Sequence, residues 1–135
     1  MTKIVIDTNI IFSILRTGGV HKVKVLFDTF YEIYAPQFIM VELFHHKERI
    51  INNAKISELE VYELLDNVLQ RIRFVNNDFI SNQSYFRAFN YCKDVDEKDI
   101  PFVALAIELQ CELWTNDDKL KIGLEAKGFN SFFNS

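Results

Sequence analysis

The stretch Lys3-Ile4-Val5-Ile6-Asp7-Thr8-Asn9 decides the fold, because a β-branched, apolar run gives way at once to three polar residues. The run up to Ile6 predicts a short buried strand. Asp7 or Thr8 is suited to cap a helix that follows. Ile10, Ile11, Ile14 and Leu15 then recur at helical spacing. The chain therefore opens with a strand, a polar turn and a helix.

The same alternation of strand and helix continues along the chain. Further strands are predicted at 33–35, 72–75, 112–115 and 129–133. Helices are predicted at 21–31, 37–52 with Pro36 at the start, 57–69, 78–91, 101–109, and from 116–118 to Gly128. Ser57 and Glu60 have the spacing of a capping box. Strands that alternate with helices predict an α/β fold with a parallel sheet covered on both faces.

Length and composition predict one domain over residues 1–135 with no internal boundary. The 13 Phe residues are interpreted as core packing, since most of them stand at helical or strand spacing. Cys92 and Cys111 lie far apart and outside any Cys-x-x-Cys pattern, which favours buried free thiols. No secretory leader and no membrane-spanning apolar run is recognised, so a cytoplasmic location is expected.

The net charge of -4 and the pI of about 5.3 weigh mildly against a dedicated nucleic-acid-binding surface, which is usually basic. They do not exclude an enzyme whose acidic residues are concentrated in a metal site. Some basic residues are candidates for contacts with a phosphate backbone, but a solvated surface is the default interpretation of such scattered charges. These residues are Lys47, Arg49, Arg71, Arg73 and Arg87.

Four acidic residues are predicted to meet at one edge of the sheet. Asp7 follows the first strand and Asp117 follows the strand at 112–115. Glu42 and Asp99 lie in the first turns of helices that begin at that same edge. Each acid near a helix start, taken singly, is more commonly a cap than a catalyst. Glu42 differs, because it stands within the apolar stretch 38–44, where a buried carboxylate needs a partner.

Several carboxylates held close together repel one another, and their pKa values rise unless a cation neutralises them. Mg²⁺ and Mn²⁺ prefer oxygen ligands and suit such a cluster. An acidic site of this kind can activate water for phosphodiester hydrolysis without a His or Lys base. The sequence lacks the His-Glu-x-x-His, Gly-x-Ser-x-Gly and P-loop patterns. His45 and His46 are expected to point apart on the surface of a helix.

The chain resembles the PIN-domain family in four stretches. The stretches are Ile4-Val5-Ile6-Asp7-Thr8-Asn9, Val41-Glu42-Leu43, the segment from Asp96 to Ala106, and Leu113-Trp114-Thr115-Asn116-Asp117. They stand in the order and at the spacing of that family and span nearly the whole chain. The resemblance implies a three-layer α/β/α sandwich with a central parallel sheet of five strands.

The resemblance also implies Mg²⁺- or Mn²⁺-dependent cleavage of RNA. It makes Asp7, Glu42, Asp99 and Asp117 the metal-binding acids. It makes Asn9 and Thr115 polar helpers and Asp96 an additional acid, and Asp118 competes with Asp117 for the fourth position. Many stand-alone PIN domains of this size are similar to VapC-type toxins, which an antitoxin inhibits and which often form homodimers. No membrane partner is implied.

Two alternatives stay open. A phosphatase of the haloacid dehalogenase type also carries an Asp after the first strand, but it needs a second Asp at the position of Asn9. A non-catalytic module that binds nucleic acid or protein would use the acids only as helix caps. Chelator-sensitive cleavage of RNA would separate a nuclease from both alternatives.

Overall fold

A computed structural model of the chain describes residues 1–134. The strands are β1 (Thr2–Ile6), β2 (Tyr31–Pro36), β3 (Ile72–Val75) and β4 (Glu112–Trp114). The helices are α1 (Thr8–Thr17), α2 (Val20–Leu26), α3 (Phe38–Asn53), α4 (Glu58–Arg71), α5 (Asn82–Cys92), α6 (Ile100–Leu109) and α7 (Asp118–Glu125). Single 3₁₀ turns occupy Asn77–Phe79 and Glu97–Asp99. The prediction of an α/β fold is confirmed.

The four strands form one parallel sheet in the order β3-β2-β1-β4. The chain moves outward from β1 to β3 and then returns to the other side of β1. Right-handed crossovers therefore place α1 to α4 on one face of the sheet and α5 and α6 on the other. The strand order reverses between β1 and β4, and ligands of open α/β sheets bind at the carboxyl ends of strands at such a point.

The apolar core lies on both faces of β1. Ile4, Val5 and Ile6 are fully buried, as the unbroken apolar run predicts for a central parallel strand. In α6 the whole segment Phe102–Ala106 is buried, because this helix packs against the sheet on one side and against α5 on the other. Burial of α6 brings its first residue, and the acidic turn before it, to the carboxyl ends of β1 and β4.

The predicted fifth strand at 129–133 is wrong as a strand. Within the described residues, this segment pairs with β4 through one isolated parallel bridge, between Leu113 and Phe132. Two backbone hydrogen bonds make this bridge, from the N–H of Leu113 to the carbonyl of Ser131 and from the N–H of Phe133 to the carbonyl of Leu113, both at 2.9 Å. Phe132 and Phe133 are both buried. The bridge and this aromatic packing hold the segment against β4, without the further pairs that would make it a strand.

Three element boundaries also differ from the sequence prediction. The helix predicted at 21–31 ends at Leu26, because Asp28 accepts a hydrogen bond from the N–H of Phe30 and forms a turn. Pro36 ends β2 and does not begin a helix. The helix predicted from Asp78 begins at Asn82, because the hydroxyl of Ser81 caps it by accepting from the N–H of Ser84 at 3.1 Å.

The interpretation of the Phe residues as core is wrong for seven of the 13. The exposed ones are Phe27, Phe30, Phe44, Phe74, Phe79, Phe86 and Phe89. Spacing fails here because an aromatic residue on the outer face of an amphipathic helix has the same period as one on the inner face. The two cysteines are free, with Cys92 buried and Cys111 partly buried. Within residues 1–134 no helix has the length and apolar character needed to cross a membrane.

Candidate active site

Asp7 lies where β1 ends and α1 begins, and its carboxylate is fixed on both oxygens. Oδ1 accepts a hydrogen bond from the backbone N–H of Thr8 at 2.7 Å, so Asp7 is the N-cap of α1. Oδ2 accepts from the hydroxyl of Thr115 at 2.7 Å and from the amide of Asn9 at 3.2 Å. Only 5% of Asp7 is exposed. The carboxylate therefore has a single orientation at the carboxyl edge of the sheet.

Thr115 joins this edge to β4. The backbone N–H of Asp7 donates to the carbonyl of Trp114 at 2.9 Å, which extends the pairing of β1 with β4 by one residue. The Thr115 hydroxyl, which donates to Asp7, accepts from the amide of Asn9 at 3.0 Å and from the N–H of Asp117 at 3.1 Å. The one donor and both acceptor positions of this hydroxyl are therefore occupied by residues of the site. Thr115 thus sets the position of both strand-end acids.

Asp117 begins α7, and its Oδ1 accepts from the N–H of Leu120 at 3.0 Å. Its charge raises the pKa of both Asp7 and Asp99, so it belongs to the same electrostatic group. Asp118, the competing candidate, is exposed in the first turn of α7. The geometry therefore brings Asp117, and not Asp118, to the other acids.

Asp99 stands at the junction between the acidic 3₁₀ turn and α6. Asp96 shapes this turn, because its Oδ1 accepts from the N–H of Lys98 at 3.0 Å and its carbonyl accepts from the N–H of Asp99 at 3.2 Å. Asp99 occupies the N-cap position of α6, yet its side chain makes no capping hydrogen bond. Only 9% of the residue is exposed. The helix-capping interpretation, which fits Asp7 and Asp117, does not account for Asp99.

Glu42 lies in α3, half-buried, and faces the start of α1. Its Oε1 accepts a hydrogen bond from the hydroxyl of Thr8 at 2.7 Å. This contact supplies the partner that a carboxylate in an apolar stretch requires. The sequence pattern indicates Thr8 only as a helix cap and does not predict this contact. The signal was present in the residue type, since a hydroxyl beside Asp7 at a strand end can donate toward a neighbouring carboxylate.

Burial and mutual repulsion together shift the titration of two acids. Burial raises the pKa of Asp7 to about 6, in spite of hydrogen bonds from Thr115 and Thr8 that lower it. Burial also raises the pKa of Asp99 to about 8, and the charges of Asp7, Asp96, Asp117 and Glu42 raise it further. Asp7 ionises first, so its charge acts on Asp99 while Asp99 is still neutral. The four predicted acids and Asp96 therefore form one coupled group.

The donor set fits a hard divalent cation. All five acids offer carboxylate oxygens, which Mg²⁺ and Mn²⁺ prefer. A cation near Asp99 would relieve the repulsion that raises its pKa. Among residues 1–134, no three or more His, Cys, Asp and Glu side chains approach closely enough to form a closed metal cage. Open carboxylate sites of this kind bind Mg²⁺ through one or two carboxylates, water and substrate phosphate.

The two adjacent histidines do not point apart as predicted. The rings of His45 and His46 meet edge to face with centroids 4.7 Å apart. The ring of His46 also meets Phe12 of α1, with centroids 5.7 Å apart. Burial, together with the charges of Arg49 and His45, lowers the pKa of His46, and the charge of Glu42 opposes this shift. His46 therefore lies at the rim of the acidic group, between α1 and α3.

Comparison with known proteins gives one family. The family model described as PIN domain matches residues 5–131, which include all the acids described above. No curated protein matches the chain. PIN domains are generally nucleases, which are hydrolases, and they generally use divalent metal ions. Since the match covers nearly the whole sequence, this chain belongs to the PIN-domain family.

Proposed function

We propose that the protein is an endoribonuclease that hydrolyses RNA phosphodiester bonds with Mg²⁺ or Mn²⁺ at Asp7, Glu42, Asp99 and Asp117. The observation that carries this proposal is Asp99. It is a buried carboxyl without a capping role, and the charges of the other three acids raise its pKa. Such an arrangement lowers the stability of the folded, metal-free protein, and unfavourable arrangements of this kind are typical of functional sites that need concentrated negative charge.

The residues divide into ligands and supports. Asp7, Glu42, Asp99 and Asp117 would hold the cation between them, one or two as direct ligands and the others through water, and the cation would supply charge neutralisation and Lewis acidity for phosphodiester hydrolysis. Thr115 and Asn9 fix the Asp7 carboxylate, and Thr8 fixes Glu42. Asp96 fixes the turn that carries Asp99. Asp118 has no part in the proposed site.

The support network orients the carboxylates before substrate arrives. Thr115 and Asn9 both donate to one oxygen of Asp7, while the N–H of Thr8 donates to the other. A carboxylate that is held this way need not reorganise during the reaction, which is how a preorganised site lowers an activation barrier. In the absence of a cation, the raised pKa of Asp99 keeps it protonated at neutral pH.

The alternatives fit the site less well. In a phosphatase of the haloacid dehalogenase type, the position of Asn9 must be an acid, whereas here its amide donates to Asp7 and Thr115. In a non-catalytic module with capping acids only, Asp99 would cap α6, which it does not.

We also propose that residues 1–135 form one cytoplasmic domain and act as the toxin of a toxin–antitoxin pair, as a homodimer. Exposed apolar side chains on α3 and α4 support a protein partner, because such side chains together favour protein interfaces. They are Met40, Val41, Phe44, Leu59 and Tyr62. Light scattering of the purified protein would test the dimer, and co-expression with the gene that neighbours it would test the antitoxin.

Cleavage of a mixed single-stranded RNA by the purified protein tests the central proposal. The assay contains Mn²⁺, with or without EDTA, and compares the wild type with Asp7→Asn. We expect cleavage that EDTA abolishes and that Asp7→Asn abolishes with the fold retained, because the substitution removes a ligand but keeps the shape. Asp118→Asn, an exposed neighbour of Asp117, is the matched control and should cleave at the wild-type rate. Cleavage by a well-folded Asp7→Asn variant would refute the site.

A further inference from the structure

A groove between α1 and α3 leads away from the acidic group. Thr8, Phe12 and Arg16 stand four residues apart and share one face of α1. On α3, the facing residues recur at helical spacing and are Glu42, His46, Arg49 and Asn53. Two contacts set the pairing of the helices, between Thr8 and Glu42 at 2.7 Å and between the rings of Phe12 and His46 at 5.7 Å.

The groove ends in a cavity of about 120 Å³. Its lining consists of Phe12, Arg16, Arg49, Ile50 and Asn53. From Thr8 to Arg16, α1 rises about 12 Å, at 1.5 Å per residue. The cavity therefore lies roughly one or two nucleotides from the acids, beyond the ring contact of Phe12 with His46.

Two arginines line this small space without acidic partners. Among the described residues, the salt bridges join Arg73 to Glu32 and Lys127 to Asp94, and neither involves Arg16 or Arg49. Two guanidinium groups on one cavity repel each other, and a bound anion relieves that repulsion. Arg16 also stands in the last turn of α1, where a cation favours the helix dipole. The helix dipole therefore explains the position of Arg16 but not that of Arg49.

The positive charge is local, although the chain carries a net charge of -4. His46 lies within electrostatic range of Arg49 and of Lys98, which comes from the turn before α6. Arg49 and Lys98 thus bring positive charge near His46, beside the acids that suit a cation. An RNA chain carries a phosphate at every nucleotide, so a second phosphate beyond the cleaved one would meet the positive charges of Arg16 and Arg49.

We propose that the cavity binds a phosphate group of the RNA beyond the cleaved bond, with Arg16 and Arg49 on its oxygens and an adjacent base against Phe12 and His46. Guanidinium groups bind phosphate oxygens through two parallel hydrogen bonds. Aromatic rings hold unstacked bases of single-stranded RNA, and the rings of Phe12 and His46 are both partly exposed. The inference rests on the proposed function for the identity of its ligand. It takes up one of the two interpretations that the sequence leaves open for Arg49, a contact with a phosphate backbone.

Binding of fluorescein-labelled single-stranded RNA, followed by fluorescence anisotropy over a series of KCl concentrations, tests the cavity. All proteins carry Asp7→Asn so that the RNA stays intact. The test pair is Arg16→Gln with Arg49→Gln. The matched control pair is Lys24→Gln with Lys93→Gln, which also removes two exposed positive charges but outside the groove. A third protein, with Arg16→Lys and Arg49→Lys, keeps the charge and loses the paired hydrogen bonds.

We expect the test pair to bind about 10-fold more weakly and to flatten the salt dependence by about 0.7 in the log–log slope, the value for one phosphate of a single strand. The control pair should bind like the parent, and the lysine protein should recover part of the affinity. Equal weakening by both pairs would mean a diffuse charge effect and would overturn the proposal, and so would unchanged binding by the test pair.

Cleavage by the same substitutions with Asp7 intact separates this inference from the proposed function. If the protein cleaves RNA but the test pair binds RNA normally, the proposed nuclease function stands and the proposed binding cavity is refuted. If the protein does not cleave RNA but the test pair alone binds RNA more weakly, the proposed binding cavity stands and the proposed nuclease function is refuted.

Discussion

Replacement of Asp99 by Asn should stabilise the metal-free protein, and increasingly so as pH rises. The pKa of Asp99 is raised from 3.8 to about 8 on folding, because burial and neighbouring carboxylates disfavour its charge. A raised folded-state pKa gives a contribution to stability that is complete below about pH 4 and is lost as pH rises toward 8. Asn carries no proton that titrates, so the variant does not suffer this loss.

The size of the effect follows from the shift. Each pKa unit corresponds to about 1.4 kcal/mol, so at pH 7 the penalty has an upper limit of about 4 kcal/mol. Water at the rim of the site screens the charges, and we therefore expect Asp99→Asn to raise the free energy of unfolding by about 1 to 2 kcal/mol at pH 7–8. At pH 4 we expect only a small difference, because the wild-type carboxyl is then protonated in the folded state and about half protonated in the unfolded state.

Urea unfolding in EDTA at pH 4, 6 and 8 measures this difference. The single Trp, Trp114, is buried beside Thr115 and reports unfolding by fluorescence. Asp118→Asn is the control for loss of one negative charge on the same side of the molecule, and it should give no trend with pH of this size. The reasoning is refuted if Asp99→Asn is less stable than the wild type at pH 8, or if the two differ equally at all three values.

Two further predictions follow from the support network and from the packing. Thr115→Val removes the hydroxyl that donates to Asp7, so we expect the pKa of Asp7 to rise above about 6 and the acid limb of the pH–rate profile to move to higher pH. Thr2→Val, at the exposed start of β1, should leave the profile in place, and an unmoved limb in Thr115→Val would contradict this role. Gly123→Ala places a methyl group 2.8 Å from the side chain of Val95, so we expect a loss of about 1 to 3 kcal/mol in unfolding free energy. Val95→Ala in the same chain should restore part of that loss in urea unfolding; a double variant no more stable than Gly123→Ala would show that this contact is not the cause.

The sequence allowed prediction of those parts of the site that depend on short-range order. The run before Asp7 and the residues before Asp117 predict strands, and parallel strands meet at one edge whatever their length. Both acids are helix caps in the structure, as their positions indicated. Their assignment as metal ligands stays a prediction, as does that of Glu42 and Asp99.

The features that sequence reasoning missed depend on tertiary contacts. Spacing does not tell the outer face of a helix from the inner one, and Phe86 of α5 is exposed for that reason. The segment at 129–133 has strand-like residues, but within the described residues its pairing with β4 stops at the single bridge between Leu113 and Phe132. The ring contact of His46 with Phe12 depends on how α1 and α3 cross, which no local pattern records.

The hydrogen bond from Thr115 to Asp7 joins residues 108 positions apart. During translation, the strand that carries Asp7 is therefore made well before the residue that orients its carboxylate. At about 5 to 20 residues per second, roughly 5 to 20 seconds separate the synthesis of Asp7 from that of Thr115. The site can assemble only after this interval, and the delay is a property of where along the chain the parts of the site lie.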